Sequence, residues 1–270
     1  MHYNHIILTR FNLQYEKDNT IHICTEWLEE RFRLFESYCL PSVTRQTSQK
    51  FTWVILASDQ TPDIYKKRLA EYRIQHENID IQFCPYFEDI NQLYQAIGQH
   101  YCLGYNHLLS TRLDSDDMLA LDFIEKLQSH ITPQTQSHTI LSFHSGIQWF
   151  ETRNISLSAS YKKNHFLSFY EPIEHIRTCI GINHTEVPNN LLAVLEEKGM
   201  WCEIVHRNNM CNSYVPKYQY QLSIPRKQYP ISLKNESTIA QAKLLISEHV
   251  SFRFRQLCRF IVRLFHGRTA

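Results

Sequence analysis

Residues 107–119 read HLLSTRLDSDDML, a short apolar run that ends in three carboxylates within four positions. The apolar part predicts a buried β-strand, because a continuous apolar run of this length is typical of parallel sheets. Asp114, Asp116 and Asp117 follow it directly, and Arg112 lies two residues before the first of them. This strand and its acidic end are the centre of the predicted fold.

Three similar units precede this strand, each an apolar run followed by a stretch with helical periodicity. Four βα units in succession predict an α/β fold with a mostly parallel sheet flanked by helices. Ligands of such sheets bind at the carboxyl ends of the strands, where Arg10, Asp59 and the acidic cluster would meet. The predicted strands cover 3–11, 51–57, 79–83 and 107–113, and the predicted helices cover 26–43, 62–76, 90–101 and 119–131.

The second half of the chain has a different pattern, with Tyr- and Asn-rich polar connections between short apolar runs. We expect one domain over 1–235, made of halves 1–130 and 131–235, and a helical segment over 236–270. The remaining predicted elements are strands over 138–143, 147–152 and 201–206, a turn at Ser145-Gly146, a short helix over 191–198 and a helix from 235 onward.

The composition excludes several classes of protein. The 270 residues carry 28 Lys and Arg against 27 Asp and Glu, a net charge of +1, whereas a dedicated nucleic-acid binder is usually basic. No apolar run approaches the ~18 residues that span a bilayer, and the first residues lack the pattern of a signal peptide. The eight Cys form no CxxC pair, which favours reduced thiols in the core. We expect a cytoplasmic globular protein that binds no nucleic acid.

Carboxylates packed at the ligand-binding edge of a sheet repel one another unless a cation neutralises them. Their oxygens suit Mg²⁺ or Mn²⁺, which typically bridge protein carboxylates and substrate phosphates. A capping cluster for the next helix is the structural alternative. A phosphatase of the haloacid-dehalogenase type is another, but that class needs late aspartates and no Asp follows Asp122. In nucleotide-sugar glycosyltransferases of the GT-A type an Asp-x-Asp motif follows the fourth strand, as it does in this chain. We therefore predict metal and diphosphate binding.

Several short segments carry a resemblance to one known family. They are LTRFN (8–12), Arg31 with LFE (34–36), LPSV (40–43) and Gln46, FTW (51–53), Asp59 with Thr61-Pro62, TRLDSDD (111–117) and, more weakly, FLS (166–168) with Glu171, and His184-Thr185. On these segments the chain resembles the bacterial "putative rhamnosyl transferase" family, which is itself GT-A-like. The strong part of the resemblance covers residues 5–125.

The resemblance implies a donor-binding half within the first 130 residues. By this analogy Thr9 and Arg10 line the nucleotide pocket, and Asp59 meets the base or the ribose. Arg112 contacts the diphosphate together with Asp114, although an ion pair between Arg112 and a neighbouring Asp is an equal alternative.

The resemblance also implies a metal site built on Asp114 and Asp116 as the Asp-x-Asp pair, with Asp116 or Asp117 as the closest ligand. Many metal-dependent GT-A enzymes use a late histidine as a further ligand. His206, which follows a predicted strand, is our candidate for this role. The alternatives are His184 and His144.

An inverting transferase needs a carboxylate or a histidine that removes the proton of the acceptor hydroxyl. Because no Asp follows residue 122, a carboxylate from the second half must be a Glu. Our candidate is Glu171, in a predicted acceptor-side loop, and Glu174 and Glu151 are its rivals. A retaining enzyme would need no such base.

Residues 250–270 contain five Arg and no acidic residue, interleaved with apolar residues. A helix with this pattern is typical of a segment that lies on an anionic membrane, and a terminal helix docked on the body is the equal alternative. The peripheral contact would be with the inner face of the cytoplasmic membrane.

Together these patterns predict a metal-dependent glycosyltransferase. It would move a sugar from a nucleoside diphosphate sugar to a saccharide or lipid-linked acceptor in bacterial surface polysaccharide synthesis. Rhamnose is the sugar in the family label, and the residues do not specify it. The alternatives are a metal-dependent phosphohydrolase and an inactive GT-A-like binding module.

Overall fold

The computed structural model describes residues 2–17, 19–206, 215, 218–222, 228–231 and 238–266, which form two β-sheets and six α-helices. The strands are β1 (Tyr3–Asn12), β2 (Thr52–Ser58), β3 (Ile79–Cys84), β4 (His107–Arg112), β5 (Met118–Leu119), β6 (Thr139–Phe143), β7 (Ser145–Phe150), β8 (Ile155–Ser160), β9 (Ser168–Pro172), β10 (Leu192–Leu195), β11 (Trp201–Val205) and β12 (Gln219–Gln221). The helices are α1 (Thr25–Leu34), α2 (Leu40–Thr44), α3 (Asp63–Gln75), α4 (Ile90–Tyr101), α5 (Phe123–Ser129) and α6 (Thr238–His266).

The larger sheet has seven strands in the order β10-β6-β9-β4-β1-β2-β3. β1 pairs in parallel with both β2 and β4, and β2 pairs in parallel with β3. β9 runs antiparallel to β4 and β6, and β10 is parallel to β6. The four predicted βα units and the predicted α/β class, with a mostly parallel sheet flanked by helices, are therefore confirmed.

The central strand shows why its sequence is continuously apolar. Ile6, Ile7 and Leu8 of β1 are all fully buried, because helices cover both faces of the sheet. Ile7 packs in the core that includes side chains of α1 and α3, whereas Ile6 and Leu8 pack in the core on the side of α4. This packing fixes the carboxyl end of β1 beside that of β4.

The smaller sheet has five strands in the order β12-β8-β7-β11-β5. Its edge strand β5 pairs antiparallel with β11, and β11 pairs in parallel with β7. Since β4 belongs to the larger sheet and β5 to the smaller one, the acidic segment between them crosses from one sheet to the other. The predicted cluster therefore lies where the two sheets meet.

Three predictions for this region are wrong. The predicted helix over 119–131 begins only at Phe123, because Met118 and Leu119 pair with β11 instead. The predicted helix over 191–198 is strand β10, which gains its hydrogen bonds from β6. The predicted Ser145-Gly146 turn lies inside β7: the Trp201 ring packs so closely on Gly146 that a Cβ there would lie 1.9 Å from a ring carbon.

The helix predicted over 26–43 contains an interruption. A π-helical turn at Phe35–Cys39 separates α1 from α2, and Pro41 lies in the first turn of α2. Pro41 does not end the helix, which continues through the π-helical turn to Thr44, with the Leu40 N–H bonded to the Phe35 carbonyl.

Helix α6 docks on the smaller sheet through its first three turns. Leu244 is 2% exposed, and the side-chain amide of Gln241 donates to the Ser156 carbonyl at 2.9 Å. Arg153 forms an ion pair with Glu248 at 3.1 Å. Among the described residues, no helix is both long and apolar enough to cross a lipid bilayer.

Candidate functional site

The site is built on the segment Asp114–Asp117, which follows β4 directly. The Asp117 N–H donates to the Asp114 carbonyl at 3.1 Å, which closes a tight turn before β5. The Leu113 N–H donates to the Leu8 carbonyl at 3.1 Å and ties the turn to β1. Three acidic side chains therefore leave the carboxyl edge of the parallel strands within one turn.

Asp114 is held by two arginines from neighbouring strands. Arg112 Nη2 lies 2.8 Å from Asp114 Oδ2, and Arg10 Nη2 lies 3.3 Å from Asp114 Oδ1. Burial alone would raise the pKa of the Asp114 carboxyl, but the charges of Arg112 and Arg10 outweigh it and hold that pKa well below its usual value. Asp114 is therefore a carboxylate at neutral pH.

Asp116 meets side chains from the two halves of the chain. Its Oδ2 lies 3.1 Å from His206 Nε2 and 3.4 Å from Arg31 Nη1. Arg31 also donates to the hydroxyl of Ser115 at 3.0 Å. The structure thus brings His206, at the end of β11, into contact with the acidic turn.

Asp117 is fully buried and points into the protein. Its Oδ1 accepts the Ile204 N–H at 2.8 Å, and its Oδ2 lies 2.8 Å from His165 Nε2. Burial raises the pKa of the Asp117 carboxyl well above its usual value, and the charges of Asp116 and Asp114 add to the rise. These contacts attach the acidic turn to β11.

The residues present fit a divalent cation. In near-octahedral coordination at 2.0–2.1 Å, two adjacent ligand atoms lie about 3.0 Å apart. Asp116 Oδ2 and His206 Nε2 have nearly this separation, at 3.1 Å. Asp114, Asp117 and His165 offer a second possible set, with one ligand atom each and all within 4.8 Å of one another. Oxygen ligands with one imidazole suit Mn²⁺ or Mg²⁺.

A further buried carboxyl belongs to Glu203, which directly precedes Ile204, the β11 residue whose N–H donates to Asp117. Glu203 is 2% exposed, and its Oε2 accepts the side-chain amide of Gln148 at 2.8 Å. Burial raises the pKa of Glu203 to about 7, with an additional rise from Asp117, while His165 and a hydrogen bond from Tyr218 oppose it. Glu203 is thus a titratable group beside the acidic turn.

The structure brings together Arg10, Arg112, Asp114, Asp116, Asp117 and His206 from the predicted set, but not Thr9. The Thr9 side chain is fully buried in the core, where its hydroxyl accepts the Trp53 indole N–H at 2.9 Å. It cannot line a pocket from that position.

Asp59 is exposed just after β2, and its N–H donates to the Cys84 carbonyl at 2.9 Å, which places it at the same carboxyl edge as the cluster.

Glu171, the predicted base, lies at the opposite edge of the sheet. It pairs with Leu108 near the start of β4, six residues or about 20 Å of strand before Asp114. Its carboxylate accepts the N–H groups of Arg177 at 3.1 Å and Thr178 at 2.9 Å. Thr178 has a φ of 67°, which is rare for a β-branched residue, so Glu171 stabilises a strained turn.

Two of the alternative candidates, His144 for the metal ligand and Glu151 for the base, form contacts outside the acidic turn. His144 bonds to the Leu195 carbonyl at 2.8 Å, and Glu151 pairs with Arg33 at 2.8 Å. The His184 ring lies 6.1 Å from that of His165, which places it near the cluster. Burial lowers the pKa of His184 to about 4.

Sequence reasoning missed Arg31, His165 and Glu203 as members of the site. Arg31 belongs to one of the segments that carry the family resemblance, but the resemblance assigned it no role in the site. Glu203 is a charged residue inside the apolar run 201–205, a pattern that marks a buried carboxyl. We find no sequence signal for His165, which lies in a polar connection.

Comparison with known proteins gives a family and several structural neighbours. The family model described as "Putative rhamnosyl transferase" matches residues 6–218. No curated protein matches the chain.

The solved structures include S. aureus TarS residues 1–349, which is 11% identical with a TM-score of 0.43 over 76% of this chain. They also include a "putative nucleotide-diphospho-sugar transferase" from Desulfovibrio desulfuricans G20, which is 13% identical with a TM-score of 0.36. That match covers 68% of this chain and 70% of the other. The present chain spans 60% of the length of the TarS fragment.

Proposed function

The chain belongs to the family described as "putative rhamnosyl transferase", and from this we propose that it is a nucleotide-sugar-dependent glycosyltransferase. The observation that carries the proposal is the contact between Asp116 and His206, 3.1 Å apart. It joins the turn after the fourth strand to the end of β11, at the edge where α/β sheets bind their ligands. The reaction would transfer a sugar from a nucleoside diphosphate to a saccharide or lipid-linked acceptor in surface polysaccharide synthesis.

The donor diphosphate would lie against the acidic turn with a divalent cation. Asp116 and His206 would hold the ion, and Asp114 would complete the set or contact the donor sugar. When bound, Mg²⁺ or Mn²⁺ neutralises the charge that develops on the leaving diphosphate. Arg10 and Arg112 would orient the donor phosphates through the guanidinium groups that hold Asp114. Asp59, at the same edge, would contact the nucleoside.

The acceptor hydroxyl must lose a proton as the new bond forms. Glu203 is our candidate for the group that takes it, in place of Glu171. A carboxyl with a pKa of about 7 is half ionised at neutral pH, which is the range in which a general base is most effective. The charge of Asp117 adds to the rise in the pKa of Glu203, which supports a position beside the acidic turn.

Thermal melting with a panel of nucleoside diphosphates, with and without Mn²⁺, tests the donor and metal site. A ligand at a hundred times its Kd stabilises a protein by about 2.7 kcal/mol, or several degrees for a domain of this size. We expect one nucleotide to give a Mn²⁺-dependent shift that Asp116→Ala and His206→Ala abolish. The exposed Glu77, just before the amino end of β3, gives the matched control Glu77→Ala, which should keep the shift.

The same melting curves separate the alternatives. A shift that needs no metal and survives both substitutions would contradict the metal site. No shift with any nucleotide, together with phosphate release from phosphomonoesters, would favour a phosphohydrolase. A Mn²⁺-dependent shift without any sugar transfer or donor hydrolysis would favour a binding module.

A further inference from the structure

Helix α6 has two apolar sides, and the body of the protein uses one of them. Gln241 and Leu244, each 2% exposed, face the smaller sheet together with Glu248. The large apolar side chains Ile239, Ile246, Val250, Phe254 and Leu257 are instead between 54% and 68% exposed. We call these five residues the apolar stripe.

The stripe is a continuous surface along one side of the helix, and its members Ile246 and Val250 border a cavity that Tyr220 of β12 also lines. At 3.6 residues per turn its five members fall within an arc of about 80°, and the docked residues lie about 120–180° from the centre of that arc. In sequence, Ile261 and Leu264 continue the same spacing. The observed docking of α6 through Gln241, Leu244 and Glu248 therefore leaves the stripe more than half exposed.

Beyond its third turn the helix is mostly exposed. Residues 249–251 and 253–258 are all exposed, and α6 continues to His266. The segment from 249 to 266 is roughly 27 Å long at 1.5 Å per residue. We call it the projecting segment. Val250, Phe254 and Leu257 present apolar surface to water, so a partner that covers them would lower the free energy of the molecule.

The charge of the projecting segment identifies the partner. It contains Arg253, Arg255, Arg259 and Arg263 and no Asp or Glu. Helices that pair with a second copy of themselves usually carry both signs of charge beside the apolar seam. A polar face with one positive sign beside an apolar stripe is instead the pattern of a helix that lies in the interface of an anionic bilayer.

We infer that the apolar stripe and the projecting segment of α6 form a docking surface for an anionic lipid bilayer. The stripe would enter the boundary between head groups and acyl chains, and Arg253, at the edge of the stripe, would reach the lipid phosphates. The inference extends the lipid-linked acceptor of the proposed function, but it rests only on α6.

Sedimentation of the full chain with vesicles tests the inference without donor or acceptor, so its failure is distinct from a failure of the proposed transferase activity. We expect binding to vesicles of phosphatidylcholine with 30% phosphatidylglycerol, weak binding to pure phosphatidylcholine, and a loss of affinity as salt is raised. Arg253→Gln, which removes the arginine at the edge of the stripe, should lower the partition coefficient roughly fivefold.

A second variant tests the apolar part of the surface. Phe254→Ser with Leu257→Ser should lower partitioning into the vesicles roughly a hundredfold, because two large apolar side chains that would move from water into the bilayer are removed. Ile64 and Ile74 of α3 are 72% and 82% exposed, so Ile64→Ser with Ile74→Ser is the matched control and should bind as the parent does. Equal binding to neutral vesicles, or no binding to either kind, would overturn the inference. So would a dimer in light scattering that the stripe variant dissociates.

Discussion

Replacing Glu203 by Gln should make the protein more stable at neutral pH and leave its stability unchanged in acid. Burial raises the pKa of this carboxyl from 4.5 to about 7. Below pH 4.5 the carboxyl is protonated in both the folded and the unfolded chain, so its raised pKa does not lower the free energy of unfolding. Between that pH and about 7 only the unfolded chain ionises, and the parent protein loses stability with each unit of pH.

The size of the effect follows from the width of this window. At 1.36 kcal/mol for each pKa unit, the parent loses about 3 kcal/mol between the two pKa values. Gln has no proton to lose, and its carbonyl oxygen can still accept the amide of Gln148. The variant should therefore gain about 3 kcal/mol relative to the parent at pH 8, a rise in Tm on the order of 5–10 °C.

Urea unfolding of both proteins from pH 4 to pH 8 measures the difference directly. Glu88 is exposed, so Glu88→Gln is the control and should show no pH-dependent difference. A stability difference between parent and Glu203→Gln that does not change with pH would refute the raised pKa. In sugar transfer, the same variant should lose kcat but keep nucleotide affinity if Glu203 accepts the proton. An unchanged kcat would remove Glu203 from that role.

Two further substitutions test the packing around the site. Asp117→Ala removes the acceptor for the Ile204 N–H and the partner of His165, at a cost of about 3 kcal/mol or more in the free energy of unfolding. Asp117→Asn keeps an acceptor oxygen and should cost less in urea unfolding, so equal losses for the two variants would contradict the hydrogen-bonding role. Gly146→Ala places a Cβ 1.9 Å from the Trp201 ring and should cost at least ~3 kcal/mol. Adding Trp201→Leu should recover part of that loss, and strictly additive losses would show that the ring is not the cause.

The part of the fold that could be predicted is the part that depends on local pattern. The first four strands begin and end within one residue of their predicted bounds. β1, β2 and β4 are largely apolar runs inside the sheet, and the edge strand β3 alternates buried Ile with polar residues, which is equally typical of a strand. The same reasoning placed the acidic turn at the carboxyl edge. Arg10 and Asp116 were predicted as site residues because the strand ends that carry them meet at that edge.

Two of the errors come from contacts between residues distant in sequence, and one comes from the alternation of side chains along a strand. The segment 191–198 has no strong preference of its own, and it is a strand because β6 offers it a parallel partner. Glu171 was chosen for its residue type in a predicted loop, whereas its position near the amino end of β4 is set by the register of β9. The family analogy assigned both Thr9 and Arg10 to the nucleotide pocket, but neighbouring residues of a strand face opposite sides of the sheet.

The charge balance of the acidic turn indicates which of its carboxylates would hold the cation. Asp114 is neutralised by two guanidinium groups within 3.3 Å, and its pKa is held low. Asp117 accepts the Ile204 N–H and contacts His165, and burial raises its pKa, with a further rise from the negative charges of Asp116 and Asp114. Among the described residues Asp116 has one guanidinium group nearby, that of Arg31 at 3.4 Å, and it faces His206 at 3.1 Å. A divalent ion between Asp116 and His206 would remove this repulsion at its source, which is why we assign the ion to that pair and treat Asp117 as the residue that positions it.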